Sequence, residues 1–179
     1  QAYSKEDSSE ILDELRRQLA GFKPVDGASH DLWSERDAVL ISYGDHIQSS
    51  DVSPLGALSR LLNQLRLSES FSILHVLPFY PSTSDEGFSV VDYRAVDKRL
   101  GDWEDISHLS SSFALMFDFP LNHISSESVW FRRFREGEER FKNYFVEESD
   151  NSDLSAVVRP RNHPLLSNFE TEKGVKKVW

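Results

Sequence analysis

Five polar residues stand at the ends of three apolar runs of strand length, and their types suit acid, base and hydrogen-bond chemistry: Asp45, Asp85, Asp118, Asn122 and His123. Asp45 follows the run 38–43, Asp85 follows the run 71–77, and Asp118, Asn122 and His123 close the run 113–119. Carboxylates serve as nucleophiles, bases or hydrogen-bond acceptors, and imidazole moves a proton near neutral pH. Each residue has a plain structural alternative. An Asp in a strand-to-helix loop is a preferred helix cap, and Asn122 and His123 could satisfy backbone groups at a buried strand end. Asp118 differs, because an ionised carboxylate inside an apolar run is costly unless paired, so a partner is expected for it. Asp118 and Asn122 offer oxygens to a hard cation, but no second acidic cluster accompanies them and no bound metal is expected. Phe88 beside Asp85 is a pair suited to carbohydrate, the ring lying under the apolar face of a sugar and the carboxylate taking its hydroxyls. Phe79, Tyr80 and Phe88 could equally be core or lid packing.

The elements that must position these residues are legible in the periodicity. Ile11, Leu12, Leu15 and Leu19 recur at helical spacing between charges and predict an amphipathic helix over 7–19, ended by 21–24. The continuous apolar runs 38–43, 71–77 and 113–119 predict strands buried on both faces, the second stopped by Pro78 and the third by Pro120. Ser53-Pro54 is a helix start, with Leu55, Leu58, Leu61, Leu62 and Leu65 as its stripe, and 102–109 reads as a second helix. Strand, helix, strand, helix, strand with short connections predicts parallel βαβ units, an α/β arrangement in which ligands bind at the carboxyl ends of the strands. After His123 the aromatics Trp130, Phe131, Phe134, Phe141, Tyr144 and Phe145 predict two short helices split near Gly137. The tail, 147–179, reads as loop with short strand candidates at 157–158 and 175–179.

The chain has 179 residues with 39% apolar and 28% charged side chains, including 12 Phe, 5 Tyr and 4 Trp, enough apolar surface for a packed core. Its net charge of −10 argues against nucleic acid and anionic membranes as partners. With no cysteine, disulfides, thiolate metal sites and cysteine nucleophiles drop out together. No apolar run approaches the roughly 18 residues that span a bilayer, and a cytoplasmic location is expected.

Four stretches carry a family resemblance: His75-Val76-Leu77-Pro78-Phe79-Tyr80-Pro81; Asp85-Glu86-Gly87-Phe88-Ser89-Val90-Val91-Asp92-Tyr93; Gly101-Asp102-Trp103; and Met116-Phe117-Asp118-Phe119-Pro120-Leu121-Asn122-His123. In this order and spacing they resemble the α-amylase family of glycoside hydrolases, and within it the sucrose-phosphorylase group. The N-terminal helical lead and the stretch from Asp153 through Arg159 to Arg161 are similar to those of glucosylglycerate phosphorylases.

The resemblance implies a (β/α)8 TIM barrel whose first three strands are the three apolar runs, a partial barrel here. Residues 1–37 would be an N-terminal helical lead, 38–135 the first three β/α units, and 136–179 the start of an inserted small domain. It implies that Asp85 grips distal hydroxyls of a glucosyl unit, that Phe88 forms its apolar platform, and that His123 donates to its 6-hydroxyl, with Asp118 and Asn122 supporting the histidine. Arg159 and Arg161 match a loop on the acceptor and phosphate side, where a bidentate clamp would hold phosphate in an acidic protein; a solvated loop is the alternative. The implied chemistry is retaining glucosyl transfer to inorganic phosphate as co-substrate, with no cofactor, by two carboxyl groups about 5 Å apart. Those carboxyl groups lie in the family on later strands, beyond Trp179, so no catalytic residue is expected in this chain. A barrel takes about 250 residues, so a fragment, inactive alone and able to self-associate through its open edge, is expected. A hydrolase of the same family and a non-catalytic carbohydrate-binding module are the competing readings. A flavodoxin-like domain is disfavoured, because the loop after the first strand lacks a glycine-rich phosphate cradle.

Overall fold

The computed structural model describes residues 5–21, 34–35, 37–84, 86–149, 152–155, 157–158 and 164–179. The chain divides into two compact units, Gln1–Arg36 and Asp37–Trp179. In the first, α1 spans Lys5–Leu19, slightly longer than the periodicity predicts, with ion pairs from Arg16 to Asp13 and from Arg17 to Glu14 along its surface.

The second unit opens with three strands, β1 (Val39–Ser42), β2 (Ile73–Val76) and β3 (Ala114–Phe117), all parallel and in the order β1-β2-β3. Between them run α2 (Pro54–Gln64) and α3 (Trp103–Ser110), as expected of βαβ units. Local chemistry explains their starts. Ser53 caps α2 by accepting from Gly56 N–H, with Pro54 in the first turn where its missing N–H is harmless. Asp102 and Asp105 form a reciprocal capping box at α3. Asp105 also accepts a 2.8 Å hydrogen bond from the Ser53 hydroxyl, so one carboxylate joins the starts of both helices. Gly101, at φ +146°, precedes this box, and a side chain there would collide with the Asp105 carboxylate.

In register, Leu40, Leu74 and Leu115 form one row and Ser42, Val76 and Phe117 the next on the same face. This face packs with α2 and α3 into a core of Leu55, Leu58, Leu62, Ile106, Leu109 and Phe79. Full burial of side chains such as Leu55 and Leu74 stabilises by about 1.5–3 kcal/mol each. The opposite face carries Val39, Ile73 and Ala114, then Ile41, His75 and Met116. Here the expectation of strands buried on both faces fails: Ile41 is 58% and Val39 40% exposed, because helices cover only one side of the sheet. The strands are also shorter than the apolar runs, so Asp118 lies just past β3 rather than within it.

The aromatic-rich stretch after His123 forms one helix, α4 (Val129–Arg135), and a single 3-10 turn at Glu139–Phe141 in place of the second predicted helix. The tail departs from its reading as loop, although the strand candidate at 175–179 is met by a strand over Gly174–Val178. β4 (Glu147–Glu148), β5 (Ser167–Thr171) and β6 (Gly174–Val178) make an antiparallel sheet in the order β4-β6-β5, while 157–158 form no strand. Phe131, Phe134, Phe141 and Val178 form its core, with Trp130, Phe145 and Phe169 packed against them. Among the described residues, no helix is long and apolar enough to cross a membrane.

Candidate functional site

Because β1, β2 and β3 are parallel, the residues just past their ends stand along one edge of the sheet. The segment after β2 folds back on itself. Ser82 bridges Val90, Thr83 N–H donates to Ser89 O at 3.0 Å, and Val91 N–H donates to Pro81 O at 2.7 Å. Gly87 turns the loop at φ +80°, and a Cβ there would meet the Pro78 carbonyl oxygen at 2.7 Å, so the turn requires glycine. This geometry places the half-buried Phe88 directly after the turn. Asp85 lies outside the described residues, as do Arg159 and Arg161.

The loop is fastened to the chain beyond β3 by three bonds. Ser125 N–H donates to Val90 O at 2.8 Å, and the Thr83 hydroxyl lies 2.8 Å from the hydroxyl of Ser125, a residue 2% exposed. The third bond reaches the predicted histidine: His123 Nε2 lies 3.0 Å from Phe88 O. On the other side of the ring, Nδ1 lies 3.0 Å from Asn122 Oδ1. With Nε2–H donating to the carbonyl, a neutral ring accepts at Nδ1, which calls for the Asn122 amide N–H2 to face it; an imidazolium would donate to the amide oxygen instead. Both ring nitrogens are engaged inside the protein, so a sugar hydroxyl would have to replace one of these partners.

Asp118 has the partner that its chemistry demands, but the partner is not His123. Its Oδ2 lies 3.0 Å from His75 Nε2, with the Asp118 and His75 side chains 28% and 17% exposed. Of the two residues expected to support His123, only Asn122 touches it in this way. Beside the pair stands Tyr80, whose phenol is pushed above the ordinary tyrosine value by burial and then by the Asp118 charge. Tyr93 is raised likewise, by burial and then by Tyr80. Its hydroxyl donates to Pro120 O, and its ring contacts Tyr80 and Phe119 edge-on at 5.5 and 5.2 Å and Trp130 at 5.9 Å.

The structure thus brings Phe88, Asn122 and His123 together and sets Asp118 against β2. Asp45 goes elsewhere: it is exposed, and its charge acts on Arg99. His46 beside it approaches the Ser42 hydroxyl at 3.2 Å and the Tyr43 ring edge-on at 5.2 Å. The residues that sequence reasoning passed over are His75, Tyr93, Thr83 and Ser125. His75 had a visible signal, a polar side chain amid the apolar run Ile73-Leu74-His75-Val76; the hydroxyl pair had none. The oxygens considered for a hard cation are turned to different partners, His75 and His123. A cavity of about 660 Å³ lies between α2 and α3, lined by Ser53, Arg60, Lys98, Asp105 and His108, away from Phe88, Asp118, Asn122 and His123.

The edge of the parallel sheet thus bears an aromatic residue, a histidine and a carboxylate, and comparison with known proteins places this arrangement in a family. Residues 43–175 match the family model for the catalytic domain of α-amylase, and the chain belongs to that family. It is 48% identical over 147 residues to a glucosylglycerate phosphorylase of Allomeiothermus silvanus, covering 82% of this chain and 26% of that protein. It is 42% identical over 148 residues to a glucosylglycerate phosphorylase of Escherichia coli, again covering 82% and 26%. Among solved structures, sucrose 6F-phosphate phosphorylase from Thermoanaerobacter thermosaccharolyticum superposes with a TM-score of 0.68 at 24% identity, over 84% of this chain and 32% of that one, a likeness of fold. The chain spans about a quarter of the length of the curated relatives it matches.

Proposed function

We propose that these residues belong to a retaining α-glucoside phosphorylase that transfers glucose from glucosylglycerate, or a related α-glucoside, to inorganic phosphate. The observation that carries this reading is the 42–48% identity to three glucosylglycerate phosphorylases over 80–82% of the chain. In this reading 38–135 are the first three β/α units of a (β/α)8 barrel and 136–179 begin the inserted domain. The uncovered sheet face supports it: Val39, Ile41 and Met116 form an apolar wall that, in a closed barrel, faces inward against further strands.

Within this site, Phe88 is the platform for the glucosyl ring, and Asp85 and His123 bind its hydroxyls. Asn122 orients the His123 ring, and Arg159 and Arg161 clamp phosphate. The attacking carboxylate and the proton-donating acid come from strands after Trp179. The carboxylate displaces the aglycone from the anomeric carbon as the acid protonates the leaving oxygen; phosphate then displaces the carboxylate, giving α-glucose 1-phosphate with retention.

The test is a phosphate-dependent assay of the polypeptide that carries these residues, with glucosylglycerate and sucrose as donors. Release of the acceptor only when phosphate is present supports the reading. Equal release without phosphate points to a hydrolase, and sugar binding without turnover points to a binding module. Asp85→Ala and His123→Ala are each expected to lower turnover sharply, and near-unchanged rates for both would remove the site assignment.

A further inference from the structure

We propose that His75 is a positioning residue that, through Asp118, sets the place of Asn122 and His123. The uncovered face of the sheet is Val39, Ile41, Ile73, Ala114 and Met116, and His75 is the one strongly polar side chain among them. A polar group on an apolar wall is costly unless engaged. The ring spans from β2 to the first residue past β3, with its Nε2 3.0 Å from Asp118 Oδ2, and is 17% exposed. Nε2–H donates to the carboxylate, which also lies close enough to Tyr80 to raise its phenol.

The segment from Asp118 to His123 is held more by hydrogen bonds than by burial, its ring contact being Phe119 edge-on to Tyr93 at 5.2 Å. Phe119 is 62% and Leu121 78% exposed, so the segment gains little from burial. Three tethers define its course: Asp118 to His75 at the start, Pro120 O to the Tyr93 hydroxyl in the middle, and His123 to Phe88 O at the end. The first tether sets the direction in which the chain leaves β3. Loss of the His75 hydrogen bond frees the Asp118 side chain to turn toward solvent, and the short path from there to His123 turns with it. His75 then governs the site without touching a substrate.

The inference rests on the proposed function only for its activity readout. His75→Leu and His75→Gln are made in the polypeptide carrying these residues. Each is followed by kcat/KM for the α-glucoside and by the imidazole NMR signals of His123, assigned with His123→Gln. Leucine matches the surrounding wall and cannot donate; glutamine restores an N–H near the former Nε2. His75→Leu is expected to lower kcat/KM at least tenfold and to move the His123 signals, with no drop in the unfolding midpoint, and His75→Gln to recover most of both. Unmoved His123 signals with kcat/KM within twofold in His75→Leu would overturn the proposal. So would a loss that His75→Gln does not recover, which would assign the effect to ring shape. If His75→Leu does not fold, His75→Asn, polar but too short to reach Asp118, is held to the same expectation. If the unsubstituted polypeptide phosphorolyses no α-glucoside, the proposed function fails, and the His123 signals alone decide the role of His75.

Discussion

His123 Nε2 lies 3.0 Å from the carbonyl oxygen of Phe88, and this bond joins the segment after β3 to the loop after β2 at the one place where both bear candidate substrate-binding residues. The His123 ring thereby ties down the backbone of Phe88. The bond is made by an exposed side chain, so it is open to exchange with a ligand hydroxyl.

His123→Ala removes the tether and is expected to weaken glucosyl binding about tenfold, the equivalent of one hydrogen bond near 1.4 kcal/mol. His123→Gln, which keeps a donor, is expected to fall between the alanine variant and the parent. Isothermal titration with glucose checks both.

Gly87→Ala places a methyl 2.7 Å from Pro78 O at φ +80°. The turn must open, and destabilisation of about 1–3 kcal/mol is expected. Because the strain falls one residue before Phe88, sugar affinity should drop in the same variant. Urea unfolding and sugar titration on one preparation read the two effects together.

Thr83→Val keeps the shape of the side chain and removes the hydroxyl 2.8 Å from the buried Ser125 hydroxyl. Ser125 Oγ still accepts from Glu127 N–H at 3.1 Å, so the loss is one of its two hydrogen bonds, about 0.5–1.5 kcal/mol. Each single variant breaks the same Thr83–Ser125 bond, so Thr83→Val with Ser125→Ala should cost less than the sum of the singles, a coupling that a double-mutant cycle on unfolding midpoints measures.

Tyr80 and Tyr93 both have phenols held above the ordinary tyrosine value, by burial first, then by Asp118 for Tyr80 and by Tyr80 for Tyr93. The neutral phenols are the ones the fold favours. Their contribution is therefore complete below the unfolded tyrosine value near pH 10 and is lost as pH rises through the higher folded values. Absorbance at 295 nm should show two tyrosines ionising late, and Tyr80→Phe should remove one late step and flatten the alkaline fall in stability.

Much of the middle of the chain was legible because local rules and tertiary packing agree there. The leucine stripe after Ser53-Pro54 and the capping pair Asp102 and Asp105 specify α2 and α3, and Pro78 marks where the second strand stops. The tail, apart from the candidate at 175–179 that became β6, was not legible for the opposite reason. β5 reads Ser-Asn-Phe-Glu-Thr, with one apolar residue in five, and becomes a strand by pairing with β6 across the turn that Gly174 permits. The second predicted aromatic helix shortened to one turn after Gly137, which takes φ +72°.

The amino-acid sequence by itself determined the alternation of strands and helices, the motifs that place the chain in its family, and the need for a partner at Asp118. Each of these rests on side-chain type and short-range spacing. Tertiary structure decided which face of the sheet is covered and that Asp118 meets His75, 43 residues before it. It also decided that His123 spends its ring nitrogens on Asn122 and Phe88. The physical reason is that an apolar run states only a preference for burial, and a polar group only a need for a partner. Whether that preference or need is met, and by which group, depends on the distant segment that the fold brings within hydrogen-bond or van der Waals reach.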